Sequence, residues 1–253
     1  MGHNSGVSVE PLEGRVLRAV DLSLTDNGKL KIIAPEGDVE GDVIELSLIN
    51  DNHAIQVWVN GILRDPTPKG GAPDSVKKSK VDRIVADLGG GDDTIVIGRR
   101  LTDPRVFKNK LQVPCTLVGG DGNDFIEAGP QKDRIIGGAG NDTIFAGKGD
   151  DVIYCGSGDD QAFGETGRDN LYGQDGNDHL DGDGNQDALY GMAGADACIG
   201  SEDKDFVNPG GDPGDTLDRN DLPNEGQTHD VESFVAKLIK LDVPDKYRDD
   251  AIA

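Results

Sequence analysis

The sequence predicts an all-β fold: a solenoid of stacked two-strand coils, with a β-structured amino-terminal cap and a short carboxy-terminal helix. Three observations predict it. An aspartate returns every nine residues, at Asp124, Asp133, Asp142, Asp151, Asp160, Asp169, Asp178, Asp187, Asp196 and Asp205. Two positions after each stands an apolar residue: Ile126, Ile135, Ile144, Ile153, Ala162, Leu171, Leu180, Leu189, Cys198 and Val207. Glycines gather ahead of each aspartate, where a tight turn needs positive φ and an open backbone. A three-residue strand between polar neighbours turns one side chain inward. Two units therefore make one flattened coil of turn, strand, turn and strand, and coils too thin to hold a core alone build one by stacking.

Composition bounds the function. The 253 residues carry a net charge of −23, with hydrophobics at 35% and aromatics at 4%. Such a chain buries little apolar surface to offset its conformational entropy, and by composition alone it reads as disordered. The nine-residue beat argues for order, so the folding free energy needs another source. A surplus of 23 negative charges repels nucleic acid and acidic membrane surfaces and attracts cations. No apolar run reaches the length of a membrane span. Cys115, Cys155 and Cys198 match no zinc or redox spacing and read as small fillers.

The elements follow in order. Residues 1–20 form a leader-like segment without the apolar core of a cleaved signal peptide. Residues 21–118 read as a β-rich cap with degenerate repeats, its strands being "LKIIA", "DVIELSLI", "AIQVWVNGILR", "VDRIVADL", "DTIVI" and "CTLV". Within it "LGGGDDTIVI" carries the turn and strand signature through Asp93, and "GDVEGDVIEL" echoes it at Asp42. The stretch "DPTPKGGAPDSVKKSK" is a basic loop, either simply solvated or a binding arm. Residues 119–217 form the roll, which ends in a distorted coil because Asp215 falls ten residues after Asp205. In the tail, residues 218–253, Phe234, Val235, Leu238 and Leu241 share one helical face.

The repeat resembles the G-G-x-G-x-D-x-U-x calcium-binding nonapeptide of the RTX, or hemolysin-type, family over Gly119–Asn208, about a third of the chain. The resemblance implies a right-handed parallel β-roll in which turn carbonyls and the aspartate carboxylate bind calcium. It places metal ligands at Gly120, Gly122 and Asp124, at Gly138, Gly140 and Asp142, and at Gly156, Gly158 and Asp160. On the same grounds Gly147, Gly149 and Asp151, Gly167 and Asp169, Gly176 and Asp178, and Gly194 and Asp196 join them, with Asp133, Asp187 and the upstream Asp93. Three turns depart from the pattern and are expected to be weak or empty: "AGPQKD" with Pro130 and Gln131, "GDGNQD" with Asn185, and "GSEDKD". The family's route implies type I secretion to the cell surface or medium, and the tail is then either a capping helix or the secretion signal. The opening "VEPLEGRVLRA" also resembles the LExRxLL-type start of planctomycete secreted proteins.

The cation follows from coordination chemistry as well. Calcium takes six to eight oxygens from carboxylates and backbone carbonyls, which a glycine turn closed by an aspartate supplies. Five register aspartates on each edge of the coil leave four gaps per edge, so about eight ions are expected. No H-E-x-x-H, G-x-S-x-G or complete G-x-G-x-x-G occurs, and the EF-hand-like start at Asp181 has Gln186 and Met192 where that loop needs Gly and Glu. A non-enzyme is expected. Tyr154, Tyr172 and Tyr190 recur one coil apart and should stack, with Phe145 and Phe163 stacked on the other face. That ladder either stabilises the sheet or serves as a platform for polysaccharide or a surface protein.

Overall fold

The computed structural model describes residues 21–25, 27–35, 38–49, 54–64, 76–98, 111–201 and 203–217. The leader-like segment, residues 65–75 of the basic loop, and the tail with its expected helix lie outside the described residues.

The described chain is built from strands, apart from one 3-10 turn at Lys78–Lys80. Upstream come β1 (Asp21–Leu24), β2 (Lys29–Ile33), β3 (Val43–Ile49), β4 (Ala54–Val59), β5 (Ile62–Arg64), β6 (Val76–Lys77), β7 (Arg83–Asp87) and β8 (Thr94–Ile97). The repeats then give β9 (Cys115–Asp121), β10 (Phe125–Glu127), β11 (Arg134–Ala139), β12 (Thr143–Phe145), β13 (Val152–Ser157) and β14 (Gln161–Phe163). They continue through β15 (Asn170–Asp175), β16 (His179–Asp181), β17 (Ala188–Ala193), β18 (Ala197–Ile199), β19 (Phe206–Asn208) and β20 (Thr216–Leu217).

Two sheets face each other, and successive repeats alternate between them. One sheet runs β1-β2-β7-β9-β11-β13-β15-β17-β19, the other β20-β18-β16-β14-β12-β10-β8-β3-β4-β5 with β6 beside β4. Pairing is parallel from β2 and β3 onward, so the fold is a parallel β-roll. In the repeats Ile135 lies opposite Ile153, Leu171 follows, and then Leu189. Ile126, Ile144, Ala162 and Leu180 do the same across the core. Every inward position is buried, and Ile44, Ile95, Ile32, Ala86 and Leu117 extend the two files upstream. Each such aliphatic contributes roughly 1.5–3 kcal/mol, so one or two per coil make a thin core. Cys115, Cys155 and Cys198 are free thiols buried in it.

Strands β2, β3, β7 and β8 are therefore coils in register with the repeats, separated from them by insertions. Only β1, β4, β5 and β6 pair antiparallel. The β4–β5 hairpin turns on Asn60 (φ 51°) and Gly61 (φ 73°), the positive-φ pair that a two-residue turn requires. At the far end Cys198 pairs with Leu217, one residue beyond the regular spacing, and the extra residue is absorbed in the turn around Pro209–Asp215.

Candidate metal centre

Each turn runs six residues and ends on its aspartate, with the second and fourth positions in the left-handed region. Gly138 (φ 126°) and Gly140 (φ 122°) show the regular form. Where glycine is missing, the conformation persists on other side chains: Glu165, Gln174, Asp183, Met192 and Ser201 hold the second position and Asn185 the fourth, at φ between 63° and 86°. "GDGNQD" thus keeps both left-handed positions, and "GSEDKD" keeps the second. "AGPQKD" is different, since neither Gly129 nor Gln131 is left-handed. The first position is constrained where it is glycine, although Leu88, Ala146 and Cys155 fill it in other turns. A Cβ on Gly137 would collide with Oδ2 of Asp142 and with the carbonyl of Cys155, two oxygens that share the hollow beneath the turn.

The aspartates stack in two columns. In the first, the backbone N–H of each donates to Oδ1 of the aspartate one coil later: Asp93 to Asp124, Asp124 to Asp142, Asp142 to Asp160, Asp160 to Asp178, Asp178 to Asp196, and Asp196 to Asp215, at 2.7–3.0 Å. Asp42 joins at the head by donating to Asp93. In the second, Cys115 donates to Asp133, Asp133 to Asp151, Asp151 to Asp169, Asp169 to Asp187 and Asp187 to Asp205, at 2.6–2.8 Å.

In nine of these carboxylates one oxygen is left over. Oδ2 of Asp93, Asp124, Asp142, Asp151, Asp160, Asp169, Asp178, Asp187 and Asp196 is buried with no hydrogen-bond partner. An ionised carboxylate in that state is costly unless a cation answers it. Burial accordingly pushes Asp93, Asp142, Asp151 and Asp187 up to about 8, Asp160, Asp169 and Asp178 to about 7, and Asp124 to about 6, against the pull of the N–H donors. Three members differ. Asp133 spends Oδ2 on the N–H of Gly129 at 3.0 Å. Asp215 spends it on Gly211 and Asp212. Asp42 has Oδ1 held by the side-chain amide of Asn60, whose own oxygen accepts from Val43.

These residues fit calcium. Among the described residues no three carboxylate, histidine or cysteine side chains converge on one point. The oxygens on offer are one unpaired carboxylate oxygen per turn and the carbonyls of an open glycine backbone, a hard, all-oxygen donor set. Asp93, Asp124, Asp142, Asp160, Asp178 and Asp196 in the first column, and Asp151, Asp169 and Asp187 in the second, would hold ions with their turn carbonyls.

The columns have unlike exteriors. Outside the first, a second ladder runs the opposite way, each N–H donating to the coil before: Asn123 to Asp92, Asn141 to Asn123, Asp159 to Asn141, Asn177 to Asp159 and Ala195 to Asn177. The matching positions beside the second column are Lys132, Asp150, Arg168, Gln186 and Lys204. There Arg168 donates to its predecessor, Asp150, and pairs with it at 3.4 Å in solvent.

The aromatic residues also stack. Tyr154, Tyr172 and Tyr190 lie 5.1 and 4.9 Å apart with planes within 11°, and Phe145 and Phe163 are 4.8 Å apart. Rings stacked this way cover one another's faces, which a sugar would need open. Tyr154 lies outside the core cluster and is nevertheless buried: Arg134 lies over its ring and donates to its hydroxyl.

Stacked glycine turns over two columns of buried, half-paired carboxylates define a cation-binding β-roll. The model of the RTX calcium-binding nonapeptide repeat (4 copies) matches residues 116–142, 127–162, 154–189, 163–198 and 185–207. The chain thus carries RTX calcium-binding repeats over residues 116–207. No curated protein and no solved structure matches the chain. Among the described residues no helix is long and apolar enough to cross a membrane.

Sequence reasoning missed Asn60 as the cap on Asp42 at the head of the first column, and it expected the turn of Asp133 to be weak or empty without finding the Gly129 N–H that occupies its second oxygen. The Asn-Gly turn signals a hairpin, and nothing in its spacing points to Asp42.

Proposed function

We propose that this chain is a non-catalytic, secreted calcium-binding protein whose roll folds as calcium binds. One observation carries the reading: nine buried aspartates each present a carboxylate oxygen without a partner. With a thin core and a net charge of −23, the metal-free fold must protonate those groups or leave them unanswered. Calcium answers them with charge and coordination, so its binding free energy becomes folding free energy. Weak sites of this kind fill in millimolar extracellular calcium and stay empty at cytosolic levels, which supports action outside the cell.

The test is far-UV circular dichroism of the full chain, titrated with calcium from chelator to several millimolar beside a magnesium titration. A cooperative gain of β signal with calcium alone is expected. A spectrum that is fully β in chelator and unchanged by calcium would overturn the coupling.

A further inference from the structure

We propose that the turn Leu88–Asp93 is a further calcium site outside the matched repeats, and that its ion fastens the upstream strands β2–β5 to the roll. The inference rests on the calcium reading above.

Asp93 is 1% exposed. Its Oδ1 accepts the N–H of Asp42, while Oδ2 is buried without a partner, the state of Asp124 and Asp142. Gly89 (φ 93°) and Gly91 (φ 104°) hold the second and fourth positions of the turn in the left-handed region, as Gly120 and Gly122 do one coil later. The turn is hydrogen-bonded to that next one, Asp121 donating to Gly89 at 2.9 Å and Gly91 to Asp121 at 2.7 Å. On its other side Gly41 and Gly91 sit so close to the backbones of Asp92 and Glu40 that neither could carry a Cβ. Asp124, Asp42 and Asp38 all press negative charge on Asp93.

The column's ends are built otherwise. Asn60 answers Asp42, and local N–H groups answer Asp215. Asp93 has neither device and sits as an interior member, although insertions on both sides break the nine-residue count there. Its two neighbours in the column are 51 residues before it and 31 after it. Closing loops of that length costs more chain entropy than closing the regular coils, and an ion held at their junction offsets it where repeats no longer do.

Native mass spectrometry and Trp58 fluorescence of the full chain test this, since Trp58, the sole tryptophan, lies on β4 beside β3. Asp93→Asn keeps an oxygen to accept from Asp42 and removes the charge. It should bind one ion fewer than wild type and move the Trp58 calcium midpoint at least tenfold higher, with the circular dichroism transition of the roll retained. An unchanged ion count and midpoint overturn the proposal. Should Asp93→Asn fail to fold, wild-type crystals grown with terbium decide through anomalous scattering. A peak in the turn Leu88–Asp93 supports the site, and peaks confined to the turns from Asp124 onward overturn it. Absence of ions everywhere overturns the broader calcium reading instead.

Discussion

Oδ1 of Asp142 accepts the backbone N–H of Asp124 at 2.8 Å, while its Oδ2, buried in the same hollow, accepts nothing. One carboxylate thus serves both as a rung between coils and as an unpaired oxygen, and substitution can separate the two roles. Asparagine keeps the acceptor and removes the charge. Asp142→Asn should raise metal-free stability by about 1–4 kcal/mol near pH 7, because the fold no longer holds a carboxyl at about 8 that ionises at 3.8 when free. It should also bind one ion fewer. Asp142→Ala loses the rung as well and strands the N–H of Asp124, at about 1–3 kcal/mol. Osmolyte-induced folding in chelator, followed by circular dichroism beside an ion count, checks both.

Asp133 should behave differently from its neighbours. Its second oxygen is already used by Gly129, and its turn lacks both left-handed positions. Asp133→Asn should bind as many ions as wild type by native mass spectrometry, whereas Asp151→Asn, one coil on, should bind one fewer.

Acid should stabilise the metal-free chain. The column aspartates have folded values of about 6 to 8, above the unfolded 3.8, so the folded state binds more protons between those limits. Stability therefore falls as pH rises from about 4 to about 8. Calcium reverses the trend by displacing those protons, and its affinity should climb over the same window. Chelator melts from pH 4 to 9, with proton release on calcium addition near pH 6.5, test the sign.

Glycine exchanges should act in both directions. Gly156→Ala puts a Cβ against the carbonyl of Gly138 at φ 121° and should abolish the calcium-induced transition or raise its midpoint more than tenfold. Met192→Gly removes a side chain from a left-handed residue at φ 80° and should stabilise by about 1 kcal/mol. Thermal melts in saturating calcium distinguish the two signs.

Much of this molecule is written in its beat. The nine-residue period gives the pairing of Ile135 with Ile153, the buried file and the division of aspartates into two columns. The beat fails where insertions interrupt it. Strands β2, β3, β7 and β8 join the same sheets across gaps that no local period spans, and they read as a cap. The left-handed turns at Gln174 and Met192 were hidden for another reason. Stacking on both sides imposes their backbone, so composition under-reports the turn. Conversely, Gly129 resembles its glycine neighbours in letter but not in conformation, because Pro130 follows it and a proline restricts the residue before it.

The two ladders of the first column point opposite ways, so an interior coil is satisfied by any neighbour of the same kind above or below. Nothing in the rung chemistry counts how many coils there are; Asn60 and Asp215 finish the stack wherever it stops. Whole 18-residue blocks can then be duplicated or deleted in the gene without leaving an unmatched joint, and the ion load would rise or fall in proportion. Length in this molecule is a quantity evolution can set freely, much as a ruler is cut.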